Sequence, residues 1–183
     1  FISYIDYYLK GSPRLADYVR SLIAKSQLSF YNRCDRVYVP SAEMIAALRS
    51  WQVEAERLQL WQRGMDTHLF SPQKRDLSVV QKITGNNRPV ILFASRLVWE
   101  KNLETLCGIY QRLQDRNLDY NFLVVGDGVA MEACQSRMPK AFFTGKVDHE
   151  QLSILYASSD VFLFTSISES YGNVVVEAMA SGL

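Results

Sequence analysis

The second half of the chain has a rhythm that leaves few folds open. Four apolar runs, Val90–Ala94 and residues 120–125, 141–145 and 160–164, alternate with stretches of helical periodicity at 102–113, 130–137 and 148–157. The runs are continuous rather than alternating apolar and polar, which is the pattern of strands buried on both faces. Strand and helix in regular alternation then predict an α/β fold, a parallel sheet covered by helices on both sides. In such sheets ligands bind beyond the carboxyl ends of the strands. The candidate site residues are therefore those that follow each run: Ser95-Arg96 with Glu100-Lys101, then Gly126-Asp127-Gly128, then Gly145-Lys146-Val147, then residues 166–172. Four loops are expected to converge on one crevice.

The last of these loops feeds a helix expected to start near Gly172 or Asn173. The first turn of a helix has unpaired backbone N–H groups and a partial positive charge, so this junction suits a phosphate. Glu177 lies one turn beyond Asn173 on the same face, among Val174, Val175, Val176, Ala178 and Met179, where a carboxylate needs a partner. Glu169 sits in the loop before it. Two carboxylates bracketing a row of N–H donors suit a ligand with phosphate in the middle and hydroxyls at both ends, which describes a sugar nucleotide.

Arg96 and Lys101 would place two cations at the mouth of the crevice, Arg gripping phosphate oxygens in a fork and Lys acting as a point charge. If a nucleoside diphosphate leaves, they stabilise its growing charge without needing a metal. The ordinary alternative is surface ion pairing, for example of Lys101 with Glu100 or Glu104. Gly126 and Gly128 allow close backbone approach, and Asp127 is expected either in the site or as a cap of the next helix. Gly145-Lys146-Val147 could offer backbone groups to a base edge, or be an ordinary turn. Neither a Gly-x-Gly-x-x-Gly fingerprint nor a Walker loop is present. His68 and His149 are isolated and read as surface or satisfied histidines.

Upstream the chain is less regular. A helix is expected after Pro13, with Leu15, Tyr18, Val19, Leu22, Ile23, Ser26 and Phe30 at helical spacing. The first reading is a helix packed on its own domain; Lys10, Arg14, Arg20, Lys25, Arg33 and Arg36, interleaved with Tyr4, Tyr7, Tyr8 and Tyr18, offer a second, a face for an anionic acceptor or peripheral contact with a membrane surface. Short strands at 36–40 and 57–61 flank a helix capped by Ser41. Residues 71–88, with Pro72, Gly85, Asn86 and Asn87, read as an interdomain linker that carries a helical turn or more at 77–83. The domain expectation is thus 1–70, 71–88 and 89–183. A net charge of +1 over 183 residues gives no reason to expect a nucleic-acid partner, and three widely spaced cysteines show neither metal spacing nor a disulfide framework. That cysteine usage, with no membrane-spanning run, predicts a cytoplasmic setting, extended to the inner membrane face by the basic helix. The start at Phe1 and the end at Gly182-Leu183 read as a segment cut at both ends.

Together, Ala94-Ser-Arg96-Leu-Val-Trp-Glu100-Lys101-Asn, Val125-Gly126-Asp127-Gly128, Phe143-Thr-Gly145-Lys-Val147, Ala157-Ser-Ser-Asp160-Val-Phe and Glu169-Ser-Tyr-Gly172-Asn-Val-Val-Val-Glu177-Ala-Met-Ala-Ser-Gly182 resemble the donor domain of family 4 retaining glycosyltransferases of the GT-B fold. Asn102 stands where that family often has Gly, and Val129 where it often has Pro. Tyr38-Val-Pro-Ser41 and Trp61-Gln-Arg63-Gly64-Met-Asp66 also resemble the end of its acceptor domain and the crossover between domains. The resemblance implies a Rossmann-like sheet of GT-B type, with residues 1–70 from the acceptor domain and 89–183 from the donor domain.

It also implies transfer of a sugar from a nucleoside-diphosphate sugar to an acceptor hydroxyl with retention of configuration and no bound metal or other cofactor. By position, Arg96 and Lys101 would bind the diphosphate, Gly126 would approach the donor, and Val147 would contact the base through its backbone. Glu169, with a catalytic role, and Ser170 would hold sugar hydroxyls; Tyr171, Gly172 and Asn173 would meet sugar and phosphate; Glu177 would bind the ribose. The acceptor is expected to be a glycan, a lipid or a small molecule. Alternatives are a non-catalytic nucleotide-sugar-binding module and a GT-B epimerase or phosphorylase.

Overall fold

A computed structural model describes residues 11–61, 64–167, 169 and 171–183. Two compact units separate between Gly64 and Met65.

The first unit holds α1 (Pro13–Tyr31), β1 (Val37–Val39), α2 (Ala42–Ser50) and β2 (Leu58–Leu60), with β1 and β2 paired in parallel. Pro13 occupies the first turn of α1, where its missing N–H costs nothing. Ser41 caps α2 as expected, its hydroxyl accepting from the Met44 amide at 3.2 Å. Val37, Val39, Leu48, Val53 and Leu58 form the small core. On α1, Leu15, Tyr18, Leu22 and Phe30 are exposed. Tyr4, Tyr7, Tyr8 and Lys10, invoked for membrane contact, lie outside the described residues, as does Arg63.

The second unit is the expected α/β sandwich. It runs α3 (Leu77–Thr84), β3 (Val90–Ala94), α4 (Leu103–Asp115), β4 (Asn121–Val125), α5 (Met131–Arg137), β5 (Phe142–Gly145), α6 (His149–Ser158), β6 (Val161–Phe162) and α7 (Asn173–Ala180). All pairings are parallel, in the order β5-β4-β3-β6. Successive strand residues point to opposite faces. Phe93, Phe122 and Val124 pack with Leu103, Leu106, Tyr110, Cys134 and Met138 of α4, α5 and their ends; Leu92, Ala94, Leu123 and Val125 pack with Val80, Leu155, Tyr156 and Ala178 of α3, α6 and α7. That two-sided demand is why the strands read as unbroken apolar runs. Leu92, Leu123 and Val124 are fully enclosed, and burying each such side chain contributes about 1.5–3 kcal/mol.

Residues 71–88 differ from the expected linker. Asp76 caps α3 by accepting from the Ser78 amide at 3.0 Å, and Gly85 ends it in the left-handed conformation at φ 74°. Val80 is buried in the second core, so this stretch packs as part of the second unit. Of the residues that suggested a linker, Gly85 is the C-terminal cap of this helix.

The strand order fixes where a site can lie. From β3 the chain steps outward through β4 to β5, then α6 carries it back across to β6 on the other side of β3. At that reversal the loops after β3 and β6 leave in opposite directions and open a crevice at the carboxyl edge.

Candidate functional site

At the carboxyl edge the loops after β3 and β4 are joined backbone to backbone. The Ser95 amide donates to Val125 O at 3.0 Å, the Leu97 amide to Asp127 O at 2.9 Å, and the Ala130 amide to Leu97 O at 3.0 Å. The Gly126 amide continues the network to Gly145 O at 2.8 Å after β5. This close approach is what the two glycines permit. A Cβ on Gly126 would sit 1.9 Å from Ser95 O, and one on Gly128 would sit 2.4 Å from Leu97 O, with φ of 131° and 157°. Asp127 does not cap α5; its Oδ1 accepts from the Gly128 amide at 2.7 Å within its own loop.

Behind these loops lies a cleft of about 220 Å³, lined by Ala94, Ser95, Arg96, Val125, Gly126, Asp127, Lys146, Val147, Leu152 and Val174. Its walls are mostly apolar, with Arg96, Lys146 and Asp127 as the charged groups among its lining. Three expected residues, Arg96, Gly126 and Val147, meet there. Leu152, in the first turns of α6, and Val174, at the start of α7, were not anticipated; a residue that serves a cleft only as apolar wall leaves no signature in composition or spacing. Lys146 supplies a cation where only backbone groups were expected. A larger concavity of about 530 Å³ lies at the opposite, amino-terminal edge of the sheet, bounded by residues such as Arg88, Gln114 and Lys140. The smaller cleft is the better site candidate, because it stands at the topological reversal.

Beside the cleft, a short 3-10 turn (Trp99–Lys101) places Lys101 in an ion pair with Glu169, their side chains only 16% and 25% exposed. The Thr165 hydroxyl donates to Lys101 O at 2.8 Å and ties the loop after β6 to that turn. The alternative pairing of Lys101 with Glu104 is not what forms, since Glu104 binds Arg137 at 2.8 Å. α7 begins at Gly172, left-handed at φ 76°, with no side-chain cap. The first helical hydrogen bond runs from the Val175 amide to Gly172 O at 2.9 Å, so the amides of Asn173 and Val174 precede the helix's own ladder. Tyr171 is half-buried and Asn173 exposed. Ser170 lies outside the described residues.

Glu177 stands one turn into α7, half-buried against α6. Burial pushes its carboxyl above the usual range, while the His149 imidazole and a hydrogen bond from Tyr156 pull the other way. The Tyr156 hydroxyl donates to Glu177 Oε2 at 3.5 Å. His149, expected to be isolated, is thus an electrostatic neighbour of Glu177. Among the described residues no group of three or more His, Cys, Asp and Glu side chains is arranged to hold a metal. Cys107 and Cys134 are free thiols buried in the first core, and burial pushes Cys134 up to about 11.

An apolar cleft at a sheet reversal, rimmed by cations and followed by an open helix start, has the chemistry to seat a flat ring beside an anionic group. The group 1 glycosyl transferase family model matches residues 88–183, just over half of the chain. The chain belongs to that family, and the fold is that of the GT-B glycosyltransferases. It is 34% identical over 153 residues to a GDP-mannose-dependent alpha-mannosyltransferase of Mycolicibacterium smegmatis, covering 84% of this chain and 39% of that protein. It is 34% identical over 168 residues to the sulfoquinovosyl transferase SQD2 of Arabidopsis thaliana, covering 86% and 31%. The chain thus spans less than half the length of these relatives. Among solved structures, a sucrose-phosphate synthase from Thermosynechococcus elongatus has a TM-score of 0.75 at 24% identity, covering all of this chain and 47% of that one. The Anabaena protein HepE, in complex with UDP and glucose, has a TM-score of 0.69 at 22% identity, covering 87% and 46%.

Proposed function

We propose that residues 65–183 bind the donor in a glycosyl transfer from a nucleoside-diphosphate sugar, and that residues 1–64 belong to the acceptor half of the enzyme. The observation that carries this reading is the meeting of Arg96, Gly126 and Val147 in one apolar cleft, beside the open start of α7. A flat base suits the slot between Val147, Leu152 and Val174, with the edge of the base facing the backbone of residue 147. Arg96 and Lys101 lie toward the diphosphate, as do the free amides of Asn173 and Val174. Glu169 holds sugar hydroxyls, Tyr171 meets sugar and phosphate, and Glu177 accepts from the ribose diol.

On this reading Lys101 and Glu169, paired with one another, exchange partners when donor arrives, Lys101 for phosphate and Glu169 for sugar hydroxyls. The acceptor oxygen bonds to the anomeric carbon on the face from which the diphosphate departs. The bond from that carbon to phosphate oxygen breaks, and the acceptor proton passes to the departing oxygen. Configuration is retained. Arg96, Lys101 and the helix start stabilise the charge growing on the leaving group, so the chemistry proceeds without a metal or other cofactor. The acceptor is a glycan, a lipid or a small hydroxylated molecule. Among the described residues no helix is long and apolar enough to cross a membrane; a cytoplasmic location, with the basic α1 at the inner membrane face, is part of the same proposal.

The test is a transfer assay with labelled GDP-mannose and UDP-glucose, with and without a chelator, and with the product's anomeric configuration read by NMR. Transfer with retention that survives the chelator is expected. Donor binding with neither transfer nor hydrolysis would favour a binding module instead, and inversion would overturn the mechanism.

A further inference from the structure

Tyr156 is 0% exposed, in the last turn of α6. Its ring is held on two sides, edge-on by Phe162 at 5.6 Å and at a tilt by Phe70 at 6.1 Å. A phenol so enclosed needs a hydrogen-bond partner, because an unmatched buried hydroxyl is costly. The partner it finds is the Glu177 carboxylate across the α6–α7 packing, at 3.5 Å. That separation is at the outer limit of a hydrogen bond, so the contact is a long one and the carboxylate is not saturated by it. An ionised carboxylate has about four lone-pair sites, and a single phenol leaves the others open. His149 lies seven residues before Tyr156, two turns back on the same face of α6. Glu177 therefore faces a fixed phenol and an imidazole from one helix.

We propose that Tyr156 is a positioning residue, whose buried hydroxyl fixes the Glu177 carboxylate in the orientation that accepts both hydroxyls of a ribose, and so sets ribose-over-deoxyribose discrimination. The inference rests on the ribose assignment of Glu177 made above. The rigid ring gives the hydroxyl one location, whereas a glutamate side chain alone has three rotatable bonds to order on binding. Burial and the neighbouring carboxylate both hold the phenol protonated, so it remains a donor.

The test compares GDP and UDP with their 2′-deoxy and 3′-deoxy analogues by calorimetry, in the unmodified protein, Tyr156→Phe and Glu177→Ala. Glu177→Ala should abolish the preference for the ribonucleotide, and Tyr156→Phe should reduce it by about three- to tenfold, the loss expected for one hydrogen bond. A structural role alone would weaken all the nucleotides together and leave the ratio unchanged. If Glu177→Ala abolishes the preference and Tyr156→Phe leaves it intact, the positioning role is overturned and the ribose assignment stands. If Glu177→Ala changes nothing, the ribose assignment fails and takes the positioning role with it. Should Tyr156→Phe not fold, tyrosine labelled with carbon-13 at Cζ reads the same contact in the unmodified protein. Its Tyr156 resonance should shift with the ribonucleotide and much less with the 2′,3′-dideoxy form; equal shifts would overturn the proposal.

Discussion

The loops after β3 and β4 are joined by backbone, while the turn after β3 and the loop after β6 are joined by side-chain charge as well. In the first case glycines let two main chains touch, and hydrogen bonds between backbone groups set the distance. In the second, Lys101 and Glu169 meet as an ion pair that a ligand can replace. A cleft built this way has one pre-formed wall and one wall that responds. The pre-formed wall suits the part of a ligand held unchanged, and the charged wall suits the part where charge develops.

The largest effect should come from breaking the backbone wall. Gly126→Ala would drive a Cβ into Ser95 O in a backbone region that L residues rarely adopt, and should cost at least about 3 kcal/mol of unfolding free energy. Denaturant unfolding checks it, and a normal midpoint would show that the two loops part easily. Next, Arg96→Ala or Lys101→Ala should lower turnover by roughly 10²-fold with a smaller change in donor affinity, if these charges act on the leaving group. Steady-state kinetics beside calorimetry separates the two quantities, and a loss confined to affinity would remove the leaving-group role.

A smaller effect tests the ion pair itself. A double-mutant cycle of Lys101→Met and Glu169→Gln in the ligand-free protein should give a coupling of about 0.5–1.5 kcal/mol, reasonable for side chains 16% and 25% exposed. Additive melts would mean that the charged wall is already open before donor arrives. The smallest effect lies at Glu177. Burial raises its folded pKa above the ordinary value of 4.5, so its protonated form favours folding. The associated stability is fully present below about pH 4.5 and is lost as pH rises through the elevated folded value. Glu177→Gln should therefore be more stable than the parent at neutral pH by about 0.5 kcal/mol, with the gain vanishing under acid conditions. Thermal melts across pH check the sign.

The sheet was legible because each strand had to satisfy two cores, which left no polar residue inside Val90–Ala94 and few elsewhere. Strand-end loops were legible for the same reason, since the edge of a parallel sheet is known once its strands are. Within residues 71–88 the helical turn at 77–83 was legible, but not that it packs into the second unit, because Asp76 and Gly85 look the same in sequence whether the helix they bound is packed or lies in a linker. Val79, Val80 and Ile83 carried the contrary signal, one apolar helix face. Pairings across long sequence separations were out of reach: Lys101 and Glu169 are 68 residues apart, and Tyr156 and Glu177 are 21 apart. Nothing local distinguishes a glutamate that meets a lysine from one that meets water. Arg96 and Val147 were found by their position after strands, whereas Leu152 contributes only apolar wall.

The amino-terminal edge of the same sheet is closed by a different set of contacts. Asn121 Nδ2 donates to Asn86 Oδ1 at 2.9 Å and to Arg88 O at 3.2 Å, Asp160 Oδ2 accepts from the Val90 amide at 2.8 Å, and Arg75 donates to Ala157 O at 3.0 Å. Because all four strands run the same way, these side-chain staples gather at one end, and at the other the loops after β3 and β4 are held to one another by backbone alone, leaving their side chains to face the cleft. Substitutions therefore sort by address. Side chains at the carboxyl-end loop tips can be exchanged at little cost in melting temperature, provided the two glycines that let the loops touch are kept.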